Sequence, residues 1–275
     1  MDWRLTPTNG RVAAQQLHGK VKAQQFTDGE ARQVSVPVCD LRKEPHAMRR
    51  ERQLLFGDTF TVLEDRDGFA FGQSGKDGYC GYVRSAGLQA AQTATHIVGA
   101  RGTHAYSNPN IKLTEVMALS LGSKLAVEDE DGRFVRTREG HYLPRVHVRA
   151  LDRPFSDPVA VAEVFLGTPY LWGGNSGTGI DCSGLVQAAL LACGIPCPGD
   201  SDLQEQALGQ PLSYAASTRR GDLFFWKGHV AMVVDGERLI HANGHTMSVA
   251  YEPIKATIAR IEAAGEGPVT SRRRI

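Results

Sequence analysis

The sequence lacks a long apolar run, a large net charge and a regular set of cysteines. No stretch approaches the roughly 20 consecutive apolar residues that a membrane-spanning helix needs, and the first residues lack the hydrophobic segment of a secretory signal. We therefore expect a cytoplasmic protein without a membrane partner. The 31 basic residues exceed the 30 acidic ones by a single charge, so no overall field favours binding to nucleic acid. The short basic runs at 49–52 and 272–274 are expected to be solvated surface and a loose tail.

The five cysteines are an odd number at irregular positions, which fits reduced thiols better than a disulfide framework. Cys193 and Cys197 are spaced like a metal-binding pair, but no second pair with zinc-like spacing exists. We therefore expect neither a metal nor an organic cofactor.

The residues between about 34 and 152 show the pattern of short strands and tight turns. Asp67-Gly68 and Asp77-Gly78 are strong turn signals. Residues 119–127 resemble residues 54–62 at an offset of 65 positions, so the pattern is repeated. We predict a lead-in over residues 1–33 that packs on the next domain, two small β modules over residues 34–92 and 93–152, and a third domain over residues 153–275.

In the third domain, Cys182 stands where a glycine-rich loop meets a predicted helix. Asp181 is a good N-cap, and Gly194 is a typical helix end. At the start of a helix, unpaired backbone N–H groups and the helix dipole favour a thiolate. The glycines between 173 and 179 and the small Ser183 or Gly184 are expected to leave room for a substrate. One apolar stripe at helical spacing supports the helix: Leu185, Val186, Ala189, Leu190 and Cys193.

Taken alone, this segment is equally compatible with a buried structural cysteine. Two histidines favour the catalytic interpretation. A polar linker is expected over residues 197–217, followed by strands over 222–226, 229–234 and 238–243, with Asp235-Gly236 as a hairpin turn. That turn predicts His229 and His241 directly opposite each other on one face. A thiol, an imidazole base and a polar group that orients the base form an activated nucleophile.

Five segments in this region closely resemble the NlpC-type cysteine peptidases of bacterial cell-wall metabolism. They are PYLWGG (169–174), IDCSGLVQ (180–187), GDLFFW (221–226), GHVAMVV (228–234) and IHANG (240–244). The paired β modules resemble the bacterial SH3-like domains that precede this domain in γ-D-glutamyl-L-diamino acid endopeptidases, also called dipeptidyl-peptidase VI-like enzymes. The resemblance implies an α+β fold, with a papain-like cysteine peptidase domain preceded by two small SH3-like β barrels.

The resemblance also implies roles for single residues. Cys182 matches the nucleophile, whose backbone N–H helps hold the oxyanion, His229 matches the general base, and His241 matches the residue that orients it. The positions that match the substrate-binding residues of the cleft are Tyr170, Trp172, Asp181, Ser183, Asp200 and Ser201.

In the resembling endopeptidases, the first SH3-like module closes one end of the cleft. Tyr79 matches a tyrosine that points towards the cysteine. We place the acidic residue that binds the substrate amine, together with Asp200, at Glu51, with Glu44 and Asp58 as alternatives. The implied substrate is L-Ala-γ-D-Glu joined to meso-diaminopimelate or lysine, already freed from the sugar, as in cytoplasmic murein recycling.

Two other functions remain open from the sequence. The chain could be a catalytically silent module that binds wall fragments or another protein, or an acyl transferase that uses the same three residues. Two positions also depart from the family pattern: residues 81–83 read GYV where GWV is more usual, and His141 replaces a second tyrosine.

Overall fold

The computed structural model describes residues 1–213 and 215–275, except for the side chain of Asp131, and forms two compact units, Met1–Arg153 and Pro154–Ile275. Each unit has a hydrophobic core of its own. In the described part of the chain, no helix is both long and apolar enough to cross a membrane.

The N-terminal segment of the first unit is attached to the β module that follows it. Strand β1 (Val12–Ala14) runs parallel to β2 (Gln25–Thr27). The Arg11 guanidinium lies 2.5 Å from a carboxylate oxygen of Glu64, and the ring of Trp3 packs edge-on against Tyr79 with centroids 6.1 Å apart. These contacts confirm that the lead-in packs on the module after it.

The first β module contains a five-stranded antiparallel sheet in the order β8-β7-β6-β3-β9 and a separate β4-β5 pair. Its turn at Asp67 and Gly68 has the positive φ values, 52° and 78°, that a two-residue hairpin loop requires. The core includes Val34, Phe60 and Tyr79. The strands are β3 (Glu30–Val34), β4 (Val38–Leu41), β5 (Arg52–Leu55), β6 (Thr59–Arg66), β7 (Phe69–Ser74), β8 (Cys80–Arg84) and β9 (Leu88–Ala90).

The second β module repeats the strands of the first. Its strands are β10 (His96–Val98), β11 (Gly102–Ala105), β12 (Met117–Ser120), β13 (Lys124–Leu125), β14 (Val127–Asp131), β15 (Phe134–Thr137), β16 (Tyr142–Pro144) and β17 (Val148–Ala150). Strand β12 spans the positions 65 residues after β5, and β15 begins 65 residues after β7. The repeat predicted from the sequence is therefore present in the structure.

A buried carboxylate joins the two modules. The side chain of Asp58 is 3% exposed and lies 3.1 Å from the Lys76 ammonium and 3.3 Å from that of Lys124, which belongs to the second module. Burial alone would raise the pKa of Asp58, but the two lysines hold it below its usual range. Since this carboxylate is enclosed by its own partners, Asp58 is the wrong alternative for binding a substrate amine.

The second unit is built on a six-stranded antiparallel sheet in the order β20-β25-β21-β22-β23-β24. The first helix begins as predicted, because the Asp157 carboxylate accepts a 2.9 Å hydrogen bond from the Val159 N–H. The elements are α1 (Pro158–Glu163), β18 (Asn175–Ser176), β19 (Gly179–Ile180), α2 (Cys182–Ala192), α3 (Ser201–Ala207), β20 (Gln210–Pro211), β21 (Leu223–Trp226), β22 (His229–Val233), β23 (Arg238–Asn243), β24 (Ser248–Pro253), α4 (Ile254–Ala263) and β25 (Ser271–Arg274).

The segment predicted as a polar linker contains helix α3. Asp200 is its N-cap, and Leu203 and Gln204 are buried. The Gln204 side-chain amide donates to the backbone carbonyls of Ser183 and Pro198 at 2.9 and 3.0 Å. These buried hydrogen bonds stabilise a helix in a stretch whose turn-forming residues indicated a loop.

The C-terminal basic run is a strand, so the prediction of a loose tail is wrong. Strand β25 pairs with β21 over Leu223↔Arg273 and its neighbours. The Arg274 guanidinium donates two 2.8 Å hydrogen bonds to Asp222, whose side chain is 1% exposed. A buried carboxylate needs such a partner, which the arginine run supplies.

Candidate active site

Helix α2 begins at Cys182 and is capped by Asp181, as predicted. One oxygen of the Asp181 carboxylate accepts hydrogen bonds from the Gly184 N–H at 2.6 Å and the Ser183 hydroxyl at 3.0 Å, and the other accepts the Gly173 N–H at 2.9 Å. The helix ends at Ala192 with Cys193 as its C-cap, and Gly194, with a φ of 73°, follows the cap as the predicted stop. Asp181 thus fixes both the first turn of the helix and the loop before it.

Some of the glycines near Cys182 make room for the chain itself, and their role in leaving room for a substrate stays a prediction. A Cβ atom on Gly184 would lie 2.3 Å from the carbonyl oxygen of Gly174, and one on Gly174 would lie 2.5 Å from that of Gly179. These contacts are too short for any side chain. The glycines therefore allow the loop to lie directly on helix α2.

Helix α2 is buried on nearly all sides rather than along one stripe. Its polar Gln187 is satisfied inside the protein, since it accepts from the Asn175 amide at 3.0 Å and donates to the Cys197 carbonyl at 3.1 Å. The helix packs against strands β22 and β23, which carry the two histidines. Cys182 is itself buried at the start of the helix.

The two histidines contact each other directly. Nε2 of His229 lies 2.8 Å from Nδ1 of His241. The register differs from the predicted one by two residues, because Met232 pairs with Ile240 and Val233 with Leu239. The Val234 N–H donates to the Arg238 carbonyl at 2.9 Å, so the loop itself is the three residues 235–237. His229 and His241 are therefore diagonal neighbours rather than opposite ones. They share a face, as predicted, because a shift of two residues keeps the side-chain alternation.

Two residues that the sequence reasoning missed extend this contact. Nε2 of His241 lies 2.7 Å from a carboxylate oxygen of Glu252 on β24. The guanidinium of Arg260 on α4 donates to both oxygens of that carboxylate, at 3.1 and 2.6 Å. The histidine side chain in the middle is fully buried, with 0% exposure. We call the four side chains of His229, His241, Glu252 and Arg260 the polar chain.

Burial is the main cause that lowers the pKa of His229, to about 3. Positive charge at His241 and Arg260 lowers it further, and the Glu252 carboxylate opposes them. At neutral pH His229 is therefore uncharged and able to accept a proton. The hydrogen bond from His241, together with that from Arg260, lowers the pKa of Glu252 to about 2 despite partial burial, so this carboxylate is ionised.

The predicted cleft residues of the second unit differ in their surroundings. Tyr170 lies within electrostatic reach of Cys182 and Asp181: burial first, and then these two groups, raise the pKa of its hydroxyl. Trp172 is 54% exposed, as a residue that meets a ligand can be. Asp200 and Ser201 form the N-cap and first residue of α3. The approach of the Cys182 sulfur to His229 stays a prediction.

The predicted substrate residues of the first unit lie in different settings. Tyr79 is buried in the core of the first module. The Glu51 carboxylate lies 3.7 Å from the Arg49 guanidinium and is mostly covered. Glu44 is exposed. The roles of Tyr79 and Glu51 at the substrate stay predictions.

Within residues 1–213 and 215–275, no group of three or more His, Cys, Asp and Glu side chains is arranged to hold a metal ion.

Comparison with known proteins identifies the class of these domains. Residues 167–262 match the NlpC/P60 family, and residues 41–88 match the bacterial dipeptidyl-peptidase SH3 domain. The structure resembles that of an NlpC/P60 family protein from Bacillus cereus ATCC 10987, with a TM-score of 0.77 over 89% of this chain and 99% of that chain. The sequences are 21% identical, so this likeness concerns the fold.

Two relatives are similar in sequence. Dipeptidyl-peptidase 6 of Lysinibacillus sphaericus is 32% identical over 170 residues, which cover 55% of this chain and 62% of that protein. Gamma-D-glutamyl-L-lysine dipeptidyl-peptidase of Bacillus subtilis (strain 168) is 36% identical over 135 residues, covering 46% of this chain and 43% of that protein. The matches therefore span less than two thirds of each relative.

The chain carries an NlpC/P60 domain of papain-like α+β fold behind an N-terminal bacterial SH3 domain, which confirms the domain resemblance and the fold class expected from the sequence. The SH3 match lies within the first β module, and the 65-residue repeat of strands relates the second module to it.

Proposed function

We propose that the protein is a cysteine endopeptidase that hydrolyses the γ-D-glutamyl–diamino acid bond of murein stem peptides with a free N-terminal L-Ala. The observation that carries the proposal is Cys182 at the start of a helix that packs on the two strands of the His229–His241 pair. The name of the Bacillus subtilis relative supports the class of bond, and that of the Lysinibacillus sphaericus relative supports a dipeptidyl-peptidase.

In the first chemical step, the Cys182 thiol gives its proton to His229, and the sulfur electron pair forms a bond to the γ-carbonyl carbon of D-Glu. The bond between that carbon and the nitrogen of the diamino acid breaks, and the leaving amine takes the proton from His229. The product of this step is a thioester between Cys182 and the L-Ala-D-Glu portion.

In the second step, water attacks the thioester carbon and gives a proton to His229. The carbon–sulfur bond breaks, the dipeptide leaves as a carboxylic acid, and the sulfur regains the proton. The negative charge on the carbonyl oxygen in both steps falls near the start of α2, where the first backbone N–H groups have no partner within the helix.

Recognition of the free amino group is part of the proposal. Glu51, with Glu44 as the alternative, remains the candidate for the carboxylate that pairs with the substrate ammonium together with Asp200, since Asp58 is enclosed by Lys76 and Lys124. Selection for a free amine supports, as part of this proposal, a role in the recycling of released peptides in the cytoplasm rather than in the cutting of intact wall. Cell fractionation tests that location.

The test is incubation with L-Ala-γ-D-Glu-meso-diaminopimelate and with its N-acetylated form, followed by mass spectrometry of the products. We expect release of L-Ala-D-Glu from the free peptide alone. Cleavage of both peptides would support the peptidase activity and contradict the recognition of a free amino group. Cleavage of neither would favour a binding module or an acyl transferase.

A pair of variants controls the experiment. Cys182→Ala is expected to abolish turnover, whereas Cys193→Ala, just beyond the other end of the same helix, is expected to retain it. Rapid alkylation of Cys182 at neutral pH in the parent protein separates both enzyme functions from a silent module.

A further inference from the structure

The polar chain runs across three neighbouring strands and onto a helix. It links His229 on β22, His241 on β23, Glu252 on β24 and Arg260 on α4 through contacts of 2.6 to 3.1 Å. We infer that Glu252, held by Arg260, is a positioning residue that fixes the protons of both histidines and so turns the lone pair of His229 Nδ1 towards the nucleophile. This inference rests on the proposed function for the role of Cys182.

The proton positions follow from the ionised carboxylate at one end. A carboxylate without a proton only accepts hydrogen bonds, so the ring nitrogen that faces Glu252, Nε2 of His241, must carry a proton. In neutral His241 the other nitrogen, Nδ1, then has a lone pair. The nitrogen facing it, Nε2 of His229, must donate. A neutral His229 therefore has its own lone pair on Nδ1, the nitrogen that remains for a proton from Cys182.

Without an acceptor at position 252, this order is lost. His241 is fully buried, so no water would select one of its two neutral tautomers. With the proton on Nδ1 of His241, Nε2 of His229 becomes the acceptor and the proton of His229 moves to Nδ1. The base would then present an N–H group to the thiol and could not take its proton.

The charges of the chain act on His229 in opposite directions. Negative Glu252 favours a protonated His229, whereas positive charge on His241 or Arg260 disfavours it. Among the described residues, the charges that act on the pKa of His229 are those of His241, Arg260 and Glu252. Strand β22 also packs against α2, which begins at Cys182, and against α3, which carries Asp202 and Glu205. Arg260 balances the charge of Glu252 and holds the carboxylate by two hydrogen bonds.

The first test compares three substitutions at one position. Glu252→Met removes the acceptor and is expected to lower kcat by about 10- to 100-fold with little change in KM, since a base with the wrong tautomer acts after substrate binding. Glu252→Asp is expected to recover part of this loss. Glu252→Gln keeps an acceptor oxygen without the charge, and is expected to lie between the parent and Glu252→Met. A kcat within twofold of the parent for both Met and Gln variants would overturn the inference.

The matched control is Glu163→Gln. Glu163 is also a carboxylate of the second unit that binds an arginine, Arg220 at 3.3 Å, and a hydroxyl, that of Tyr251 at 2.9 Å. It is not part of the polar chain. We expect parental kcat and KM for Glu163→Gln, and a loss equal to that of Glu252→Gln would contradict a specific role for Glu252.

The second test uses the pH dependence of Cys182 alkylation, which needs no peptide substrate. Removing the negative charge in Glu252→Gln is expected to move the acidic limb of the rate profile to lower pH. Removing the positive charge in Arg260→Met is expected to move it to higher pH. If the role were merely structural, the acidic limb would stay at the parental pH in both variants, or would move in the same direction in both. Either result would overturn the inference.

Nitrogen-15 NMR of the histidine rings reads the tautomers directly and serves if Glu252→Met does not fold. We expect the parent protein to hold the proton on Nε2 of both His229 and His241. A proton on Nδ1 of neutral His229 would overturn the inference. If Cys182 of the parent protein does not react with the alkylating reagent, the proposed function is contradicted instead. The failure of the inference and the failure of the proposed function are therefore distinguishable.

Discussion

Each unit contains a carboxylate with two cationic or hydrogen-bonding partners, buried at Asp58 and partly buried at Glu252, and the two sites differ in what those partners can do. In the first unit, Asp58 contacts Lys76 and Lys124 and joins two modules. In the second, Glu252 contacts His241 and Arg260. Partners lower the pKa of both carboxylates. Of these partners, His241 contacts a further titratable side chain, that of His229. Similar local electrostatics therefore gives a structural site at Asp58 and, at Glu252, a site that fixes the proton positions of two histidines.

The largest expected effect concerns Asp58. Asp58→Ala leaves two lysines without their buried partner, and we expect a loss of about 3–5 kcal/mol in the stability of the first unit. Because the ion pairs are structural, the rate of Cys182 alkylation should be unchanged under folded conditions. Urea unfolding and alkylation measure the two effects, and a changed alkylation rate in the folded variant would break the contrast between the carboxylates.

A third carboxylate tests whether stability and activity separate within the second unit. Arg274→Met removes the partner of the buried Asp222, and about 2–4 kcal/mol of stability should be lost. The kcat at temperatures where the variant is folded should stay parental, unlike that of Glu252→Met. Thermal unfolding and peptide turnover check this, and a large fall in kcat would show that position 252 is not special.

The packing of the loop against α2 gives a third prediction. A Cβ atom at Gly184 meets the Gly174 carbonyl at 2.3 Å, so Gly184→Ala should cost about 1–3 kcal/mol by forcing the chain apart. We also expect slower alkylation, since the first turn around Cys182 shifts. Gly236→Ala, in the hairpin loop with open space around it, is the control and should have little effect. Equal effects for the two variants would remove the role of the close contact.

The most gradual expected effect is a pH dependence of stability, which is spread over several pH units. Since folding lowers the pKa of His229 from 6.5 to about 3, the unfolded chain binds more protons between these values, and stability falls as the pH falls through that window. The maximum slope is about 1.4 kcal/mol per pH unit. Glu252, lowered from 4.5 to about 2, adds a loss below pH 4.5. In His229→Gln, urea titrations at several pH values should no longer show the loss of stability between pH 6.5 and 4.5. A loss that persists in this range would contradict the assignment.

Local signals predicted the elements that depend on local chemistry. The Asp181 cap placed the start of α2 at Cys182, and Asp67-Gly68 predicted the hairpin that the structure contains. The 65-residue repeat predicted the paired modules. In the helix cap and the hairpin turn the deciding interactions lie within a few residues, so the sequence shows them directly.

The missed features depend on contacts between distant segments. The three-residue loop after Val234 set a register that the Asp235-Gly236 signal did not predict. Strand β24, which carries Glu252, follows a four-residue turn in which Met247 has a positive φ of 52°. Methionine rarely adopts this conformation, so the turn is not predicted from the sequence. The C-terminal strand forms because Arg274 meets Asp222 across 52 residues. Burial and charge pairing decided these elements, and both become visible only in the folded chain.

The most direct test of Cys182 as the nucleophile is to mix the protein with L-Ala-γ-D-Glu-meso-diaminopimelate, quench with acid and measure the intact protein by mass spectrometry. We predict a fraction carrying the L-Ala-D-Glu acyl group on the peptide that contains Cys182, and no such adduct in Cys182→Ala. Normal turnover by Cys182→Ala would contradict the proposed chemistry.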